Sequence, residues 1–286
     1  ARVADRIGKG LRGAPRDALV AEVTPEAVRG AAFGLRQSLD AAGAFVGPLL
    51  ASALLLFWTD DYRSIFWVAL IPGVLCLLLI LLGVEEGRTP DDSAHETPAK
   101  RSLPKLHVLS DPAFRSLVVL GSLFAVARFS NAFIVLRAAD AGFAAAAIPL
   151  LIMGMNLVFS AASYPFGQWA DKTNPKTLLA VGIGILILAD LVFAFLPAQW
   201  GVVIGIVLMG LHLGATQGIF SMLVAETAPK AERASAFGIF GFASGLSAIA
   251  AGLLAGVLWD AVGPEATFLS GAVLALCALV WLRRHR

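Results

Sequence analysis

The stretch LVAEVTPEAVRGAAFG, Leu19 to Gly34, returns near the other end of the chain as LVAETAPKAERASAFG, Leu223 to Gly238. Leu, Val, Ala, Glu, Pro, Ala, Arg, Ala, Phe and Gly coincide in register at an offset of 204 residues. That period is too long for a solenoid repeat. It suits a duplicated half-protein, the arrangement membrane transporters use to place a site between two related bundles. Further on, Trp58 and Cys76 are echoed by Trp259 and Cys277 at an offset of 201, so the copies differ by a short loop deletion.

Composition sets the class. The hydrophobic fraction is 58%, charged residues make up 15% and the mean hydropathy is +0.80, where a soluble domain has roughly 45 to 50% apolar and about 25% charged residues. These values indicate an all-α integral membrane protein. The net charge of +2 gives no reason to expect a nucleic-acid partner. Cys76 and Cys277 both lie in apolar runs, which argues against a disulfide framework or a cysteine metal site. Nothing in the chain calls for a cofactor or a metal. The second half starts near Pro112, and the offset then implies that about 90 residues precede Ala1 in the first half, about three helices at ~20 residues per span.

In order, residues 1–23 align with a membrane helix of the second copy although they are rich in charge. A small-residue span follows over Ala31 to Trp58, then an unambiguous one over Ser64 to Val84. Residues 85–111 are polar and proline-containing, as suits a linker. Six spans follow, about Ala113 to Leu136, Ala145 to Phe166, Thr177 to Leu196, Trp200 to Thr227, Ser235 to Trp259 and Ala266 to Leu282. The expected organisation is therefore a partial first bundle over 1–84, a linker over 85–111 and a complete second bundle over 112–286. With the linker on the cytoplasmic side, the cations outside the spans fall in alternate loops, and only Arg63 and Arg137 lie opposite. This is the positive-inside pattern, with a cytoplasmic C-terminus.

Gly34, Gly43 and Gly47-Pro48 resemble the fifth-helix motif of the major facilitator superfamily, a glycine and proline signature common in proton-linked exporters. Ala51 and Ser52 stand where that pattern ends in a glycine pair. Glycines at helical spacing let helix backbones approach, and Pro48 frees a carbonyl and permits a bend. The segment Gly167-Gln-Trp-Ala-Asp171-Lys172-Thr-Asn-Pro-Lys176 is similar to the family's loop between helices eight and nine. There the aspartate pairs with helix ends and basic residues to hold the inward gate closed. The resemblance implies two pseudo-symmetric six-helix bundles, of which this chain carries helices four to twelve. It also implies alternating access, a small-molecule substrate, a proton as coupling ion (antiport in the exporter reading), a monomer in the lipid bilayer and a bacterial cytoplasmic (inner) membrane location.

Charges inside spans need a wet cavity or a partner, since each costs about 2.5 to 3.5 kcal/mol at a lipid-facing helix centre. Arg2, Arg6, Lys9 and Arg16 fall along one helical stripe, with Asp5 within a turn of Lys9 and with Arg12 nearby. They read as a cationic cavity wall for an anionic solute, as partners of carboxylates on the first three helices, or as a segment lying partly at the membrane interface. Asp40, with Arg36 at i−4, reads either as a proton-coupling carboxylate or as a fixed ion pair. Arg128, Asn131, Asn156, Tyr164, His212 and Gln217 are sparse polar groups on apolar helices, open to roles as cavity ligands or as helix-to-helix hydrogen bonds. Asp190 is expected at the outer interface. No Walker-type glycine loop supports ATP coupling. An intramembrane enzyme built on Ser244 or Ser247 with His212 is the alternative of another class, and a fragment inactive without its first three helices is a third.

Overall fold

The computed structural model describes residues 2–58, 61–83 and 106–284, and side chains from residue 12 onward apart from 62 and 106. Ten α-helices account for nearly all of it: α1 Arg2–Val23, α2 Arg29–Phe57, α3 Tyr62–Gly83, α4 Pro112–Ala127, α5 Asn131–Asp140, α6 Ile148–Lys172, α7 Pro175–Phe195, α8 Gln199–Thr227, α9 Arg233–Ala261 and α10 Pro264–Arg284. No strand occurs among the described residues. Eight segments there are long and apolar enough to cross a membrane. The ninth expected span, α1, is a helix but carries too much charge to count by composition. Residues 84–105, most of the expected linker, lie outside the described residues.

The sequence accounts for the helix starts. Asp111 caps α4 by accepting from Ala113 N at 2.8 Å, and Asn174 caps α7 by accepting from Lys176 N at 2.9 Å. In both cases proline follows the cap, where a missing N–H costs nothing.

The chain divides into two compact units, residues 1–42 with 104–286, and residues 43–103. In the first, α8 packs against α6 and α7, α10 against α7 and α4, and α9 against α4 and α1. Small residues make the tightest of these contacts. A Cβ on Gly214 of α8 would lie 2.6 Å from the Ala162 Cβ of α6, so only glycine allows that spacing. In the second unit, Asp61 begins α3 by accepting from Arg63 N at 3.0 Å, Ser64 N at 3.2 Å and Ser64 Oγ at 3.0 Å. These donors, Arg63 N–H foremost, hold the Asp61 carboxyl below the usual aspartate range.

Two expectations are corrected. The span over Ala113 to Leu136 is not one helix: α4 stops at Ala127, residues 128–130 are non-helical, and Ser130 caps a new helix by accepting from Ala132 N at 3.3 Å. The segment Gly167 to Lys172 is not loop but the last turns of α6, which runs to Lys172.

Candidate functional site

The repeated stretch is built twice in the same way. Arg29 Nη2 donates to Ala21 O at 3.4 Å, and Arg233 Nε donates to Ala225 O at 3.1 Å. Each arginine thus ties the start of one helix to the carbonyl end of the helix before it, where free C=O groups attract a cation. Arg233 Nη1 also reaches across to Ala21 O at 3.3 Å, and the Phe33 and Phe237 rings meet at 6.1 Å. The copies therefore touch each other at the end where α2 and α9 begin.

Asp171 closes the same end. Its two oxygens accept from Gly30 N at 2.6 Å and Ala31 N at 2.8 Å, the first turn of α2. A carboxylate on the last turn of α6 thereby caps a helix N-terminus from another part of the chain, satisfying two donors that have no intrahelical acceptor. The backbones are close enough for this only because of glycine. A Cβ on Gly34 would stand 2.6 Å from Ser163 O, and one on Gly167 would run into Gly30 O. One turn deeper, Ser38 Oγ donates to Ser160 O at 2.5 Å while Ser160 Oγ donates to Ser38 O at 2.8 Å.

Beyond this closure lies a cavity of about 580 Å³ between α1, α2, α4, α8 and α9. Its charged lining residues are Asp17, Arg36 and Arg128, two cations against one acid. Arg36 Nε lies 3.5 Å from Asp17 Oδ1, yet neither Nε nor Nη1 has a hydrogen-bond partner among the described residues. Arg16 Nε donates to the same Asp17 oxygen at 3.2 Å. Arg128 sits at the α4 interruption with its guanidinium carbon 5.7 Å from the centre of the Phe124 ring, a cation–π distance. Gln37 Nε2 donates to Gln217 Oε1 at 3.3 Å across the cavity.

The other residues singled out in the sequence are more scattered. The side chains of Arg2, Asp5, Arg6 and Lys9 lie outside the described residues, and Arg12 is exposed. Asp40 is exposed and has no ion pair among the described residues; its expected partner Arg36 turns to Asp17. Asn156 Nδ2 donates to Ile152 O one turn back, and the Tyr164 hydroxyl accepts from Gln168. His212 is fully buried, with Nδ1 2.8 Å from Gly182 O and its ring 5.2 Å from Phe124. Asn131 is exposed at the start of α5, Lys172 is exposed at the end of α6, and Lys176 is partly buried. Gly43, Gly47 and Pro48 are exposed on α2.

Two features escaped the sequence reading. Asp190, expected at the interface, is 3% exposed, and its Oδ2 has no hydrogen-bond partner among the described residues. The interruption of α4 carries neither glycine nor proline; its signal is the cap residue Ser130 inside an apolar run.

The Major Facilitator Superfamily profile matches residues 1–139 and 117–286, two overlapping copies over the whole chain. The chain belongs to the Major Facilitator Superfamily. It is a multi-pass membrane protein of a transporter family, and the intramembrane-enzyme alternative falls. It is 30% identical over 278 residues to an uncharacterized MFS-type transporter of Methanocaldococcus jannaschii, covering 95% of this chain and 68% of that protein. Its fold is similar to that of the human organic anion transporter MFSD10, with a TM-score of 0.72 at 16% identity over 93% of this chain and 66% of that one. It is likewise similar to the E. coli fucose:proton symporter FucP, with a TM-score of 0.73 at 14% identity over 96% of this chain and 73% of that one. The chain thus spans about two thirds of the length of the relatives it matches.

Proposed function

We propose that the protein is a secondary active transporter that works by alternating access on a small solute bearing an anionic group. The observation that carries this reading is the cavity beside Arg36 and Arg128, where two guanidinium groups face one carboxylate and Arg36 keeps donors unused. A carboxylate, sulfonate or phosphate group of a solute supplies the missing acceptor, and Arg binds such groups through paired donors. The glutamine pair and the Phe124 face suit the remainder of an amphipathic molecule. That MFSD10 is named an organic anion transporter accords with this choice.

In this reading the Asp171 cap on α2 is a latch, and the conformation is the one closed at the latch end. The basic loops support a cytoplasmic side for that end and for the C-terminus, and the membrane in this reading is a bacterial inner membrane. The bundles run over 1–84 and 112–286 about the 85–111 linker, and the transporter acts as a monomer in the bilayer. The driving ion is the proton, as in the symporter FucP, in antiport or symport; Asp40 with Arg36 is the pair that the sequence offers for it.

The test is a thermal-stability screen of the full-length protein against small organic anions and their neutral amides. The expected result is that some anions raise Tm while the matching amides do not, and that Arg128→Ala removes the effect. Equal stabilisation by anion and amide, or no loss in Arg128→Ala, overturns the anionic assignment.

A further inference from the structure

Asp190 is the buried acid that the cavity and the latch leave unused. It lies 16 residues into α7, is 3% exposed, and its Oδ2 finds no donor among the described residues. What surrounds that oxygen is specific. Gly271 on α10 packs closely there: a Cβ built on it would lie 2.8 Å from Asp190 Oδ2, 3.1 Å from Phe129 Cε2 and 3.2 Å from Ala127 O, so no side chain fits. Ala127 is the last residue of α4 and Phe129 lies in the interruption before α5. The last backbone bond before the interruption is Arg128 N–H to Phe124 O, and the next is Phe133 N–H to Ser130 O. A lone carboxyl and a carbonyl at a broken helix end therefore meet beside one glycine.

We propose that Asp190 is a proton-binding site and that its occupancy sets the α4–α5 hinge. It rests on the transporter reading, to which it adds a second proton-binding acid besides Asp40. With the proton on Oδ2, the carboxylic O–H is a donor, and Ala127 O, gathered at the same glycine, is the acceptor through which α7 is tied to the end of α4. When the proton leaves, a carboxylate remains with no donor, a costly state in a site closed to water. Movement of residues 128–130 relieves it by admitting water or the guanidinium of Arg128, which adjoins Ala127 in the chain. Arg128 also lines the solute cavity, so proton release at Asp190 and solute binding compete for one side chain.

The neighbouring charges do not pre-empt this role. Arg137 of α5 spends Nε on Phe193 O at 2.9 Å and Nη2 on Ala194 O at 3.5 Å. On α8 the titratable groups are His212, held to Gly182 O, and the exposed Glu226; on α10 they are Glu265, Arg283, Arg284 and the exposed Cys277, all away from Gly271. Lys176 lies at the start of α7, Arg115 in the first turn of α4 and Asp140 at the end of α5. On α6, Tyr164 accepts from Gln168, Asp171 caps α2 and Lys172 is exposed. Two oxygens and an aromatic edge are a poor coordination set for a metal cation and sufficient for a proton.

The experiment uses the full-length protein in phosphatidylcholine vesicles, with Cys76 and Cys277 replaced by serine and the exposed Ala132 at the start of α5 replaced by cysteine. The rate of modification by a small water-soluble maleimide, corrected for the thiolate fraction of an unstructured peptide, is followed between about pH 5 and pH 8. The expected result is about a tenfold change in rate with Asp190 present, and a constant rate equal to the low-pH one in Asp190→Asn, whose amide stands in for the protonated acid. Gly271→Ala presses a methyl against Asp190 Oδ2 and is expected to shift the midpoint, with no response when combined with Asp190→Asn. A pH response that survives in Asp190→Asn overturns the proposal, as does a flat profile in the parent. Replacing choline by sodium at constant pH is expected to change nothing; a sodium response of equal size overturns the proton assignment. No solute is used, so a hinge that follows pH stands even if anion binding fails, and demonstrated anion transport with a flat profile removes this inference alone.

Discussion

Removing the Asp171 carboxylate should open the end of the molecule where α2 begins. Two charge-assisted bonds, at 2.6 Å to Gly30 N and 2.8 Å to Ala31 N, hold α6 to α2. Such bonds contribute about 1.5 to 3 kcal/mol each, and a carboxylate at a helix N-terminus adds about 0.3 to 1 kcal/mol. Because Asp171 is only half-buried, the low end applies, and Asp171→Ala should cost the closed form about 3 kcal/mol, a shift of about a hundredfold toward open. Asp171→Asn keeps one accepting oxygen and loses the charge, so it should cost about half as much and shift the balance about tenfold. The assay is a spin-label distance distribution between Val28→Cys and Thr173→Cys, both exposed beside the contact, in the full-length protein in lipid nanodiscs. A longer-distance population should be small in the parent, intermediate with asparagine and dominant with alanine. Identical distributions in all three would refute the latch.

The same label pair tests the backbone contact. Gly167→Ala drives a methyl into Gly30 O and to 3.0 Å from Gly34 Cα, so it should open the contact at a cost of about 1 to 3 kcal/mol, while Gly184→Ala, whose Cβ meets nothing within 4 Å, should leave the distances unchanged. The cap on α3 gives a pH prediction. Asp61 is held below its ordinary value in the folded chain, so its contribution is complete above the unfolded value and is lost as pH falls through the folded one. A carboxyl NMR titration of Asp61 should place its midpoint below that of an unstructured peptide; an equal or higher midpoint contradicts the capping.

The fold was legible because duplication and hydropathy both act over long stretches. Arg29 and Arg233, in register in the sequence, make the same bond to Ala21 O and Ala225 O in the structure. The Asp171 contact was half legible: the family resemblance at Gly167 and Asp171 implied an aspartate pairing with helix ends at a gate, but not that the helix end is the first turn of α2. That depends on the close crossing of Gly30 and Gly34 with Gly167, separated by more than a hundred residues. The polar residues inside spans were the least legible, because a helix sequence does not say which face meets lipid. Asp40 and Asp190 are both single acids in apolar helices, yet the first is exposed and the second buried. The turn of Arg36 toward Asp17 has no local cause strong enough to read, and the α4 interruption has only the cap residue Ser130 as its signal.

The central claim is that opening at the latch is an obligatory step of transport. The direct measurement is flux of a Tm-raising anion into vesicles carrying the full-length protein, with Val28→Cys and Thr173→Cys joined by a short disulfide-containing cross-linker. Flux should stop on cross-linking and return on reduction, while each single-cysteine variant keeps its flux under the same treatment. Flux that continues through a protein quantitatively locked at that contact contradicts the account.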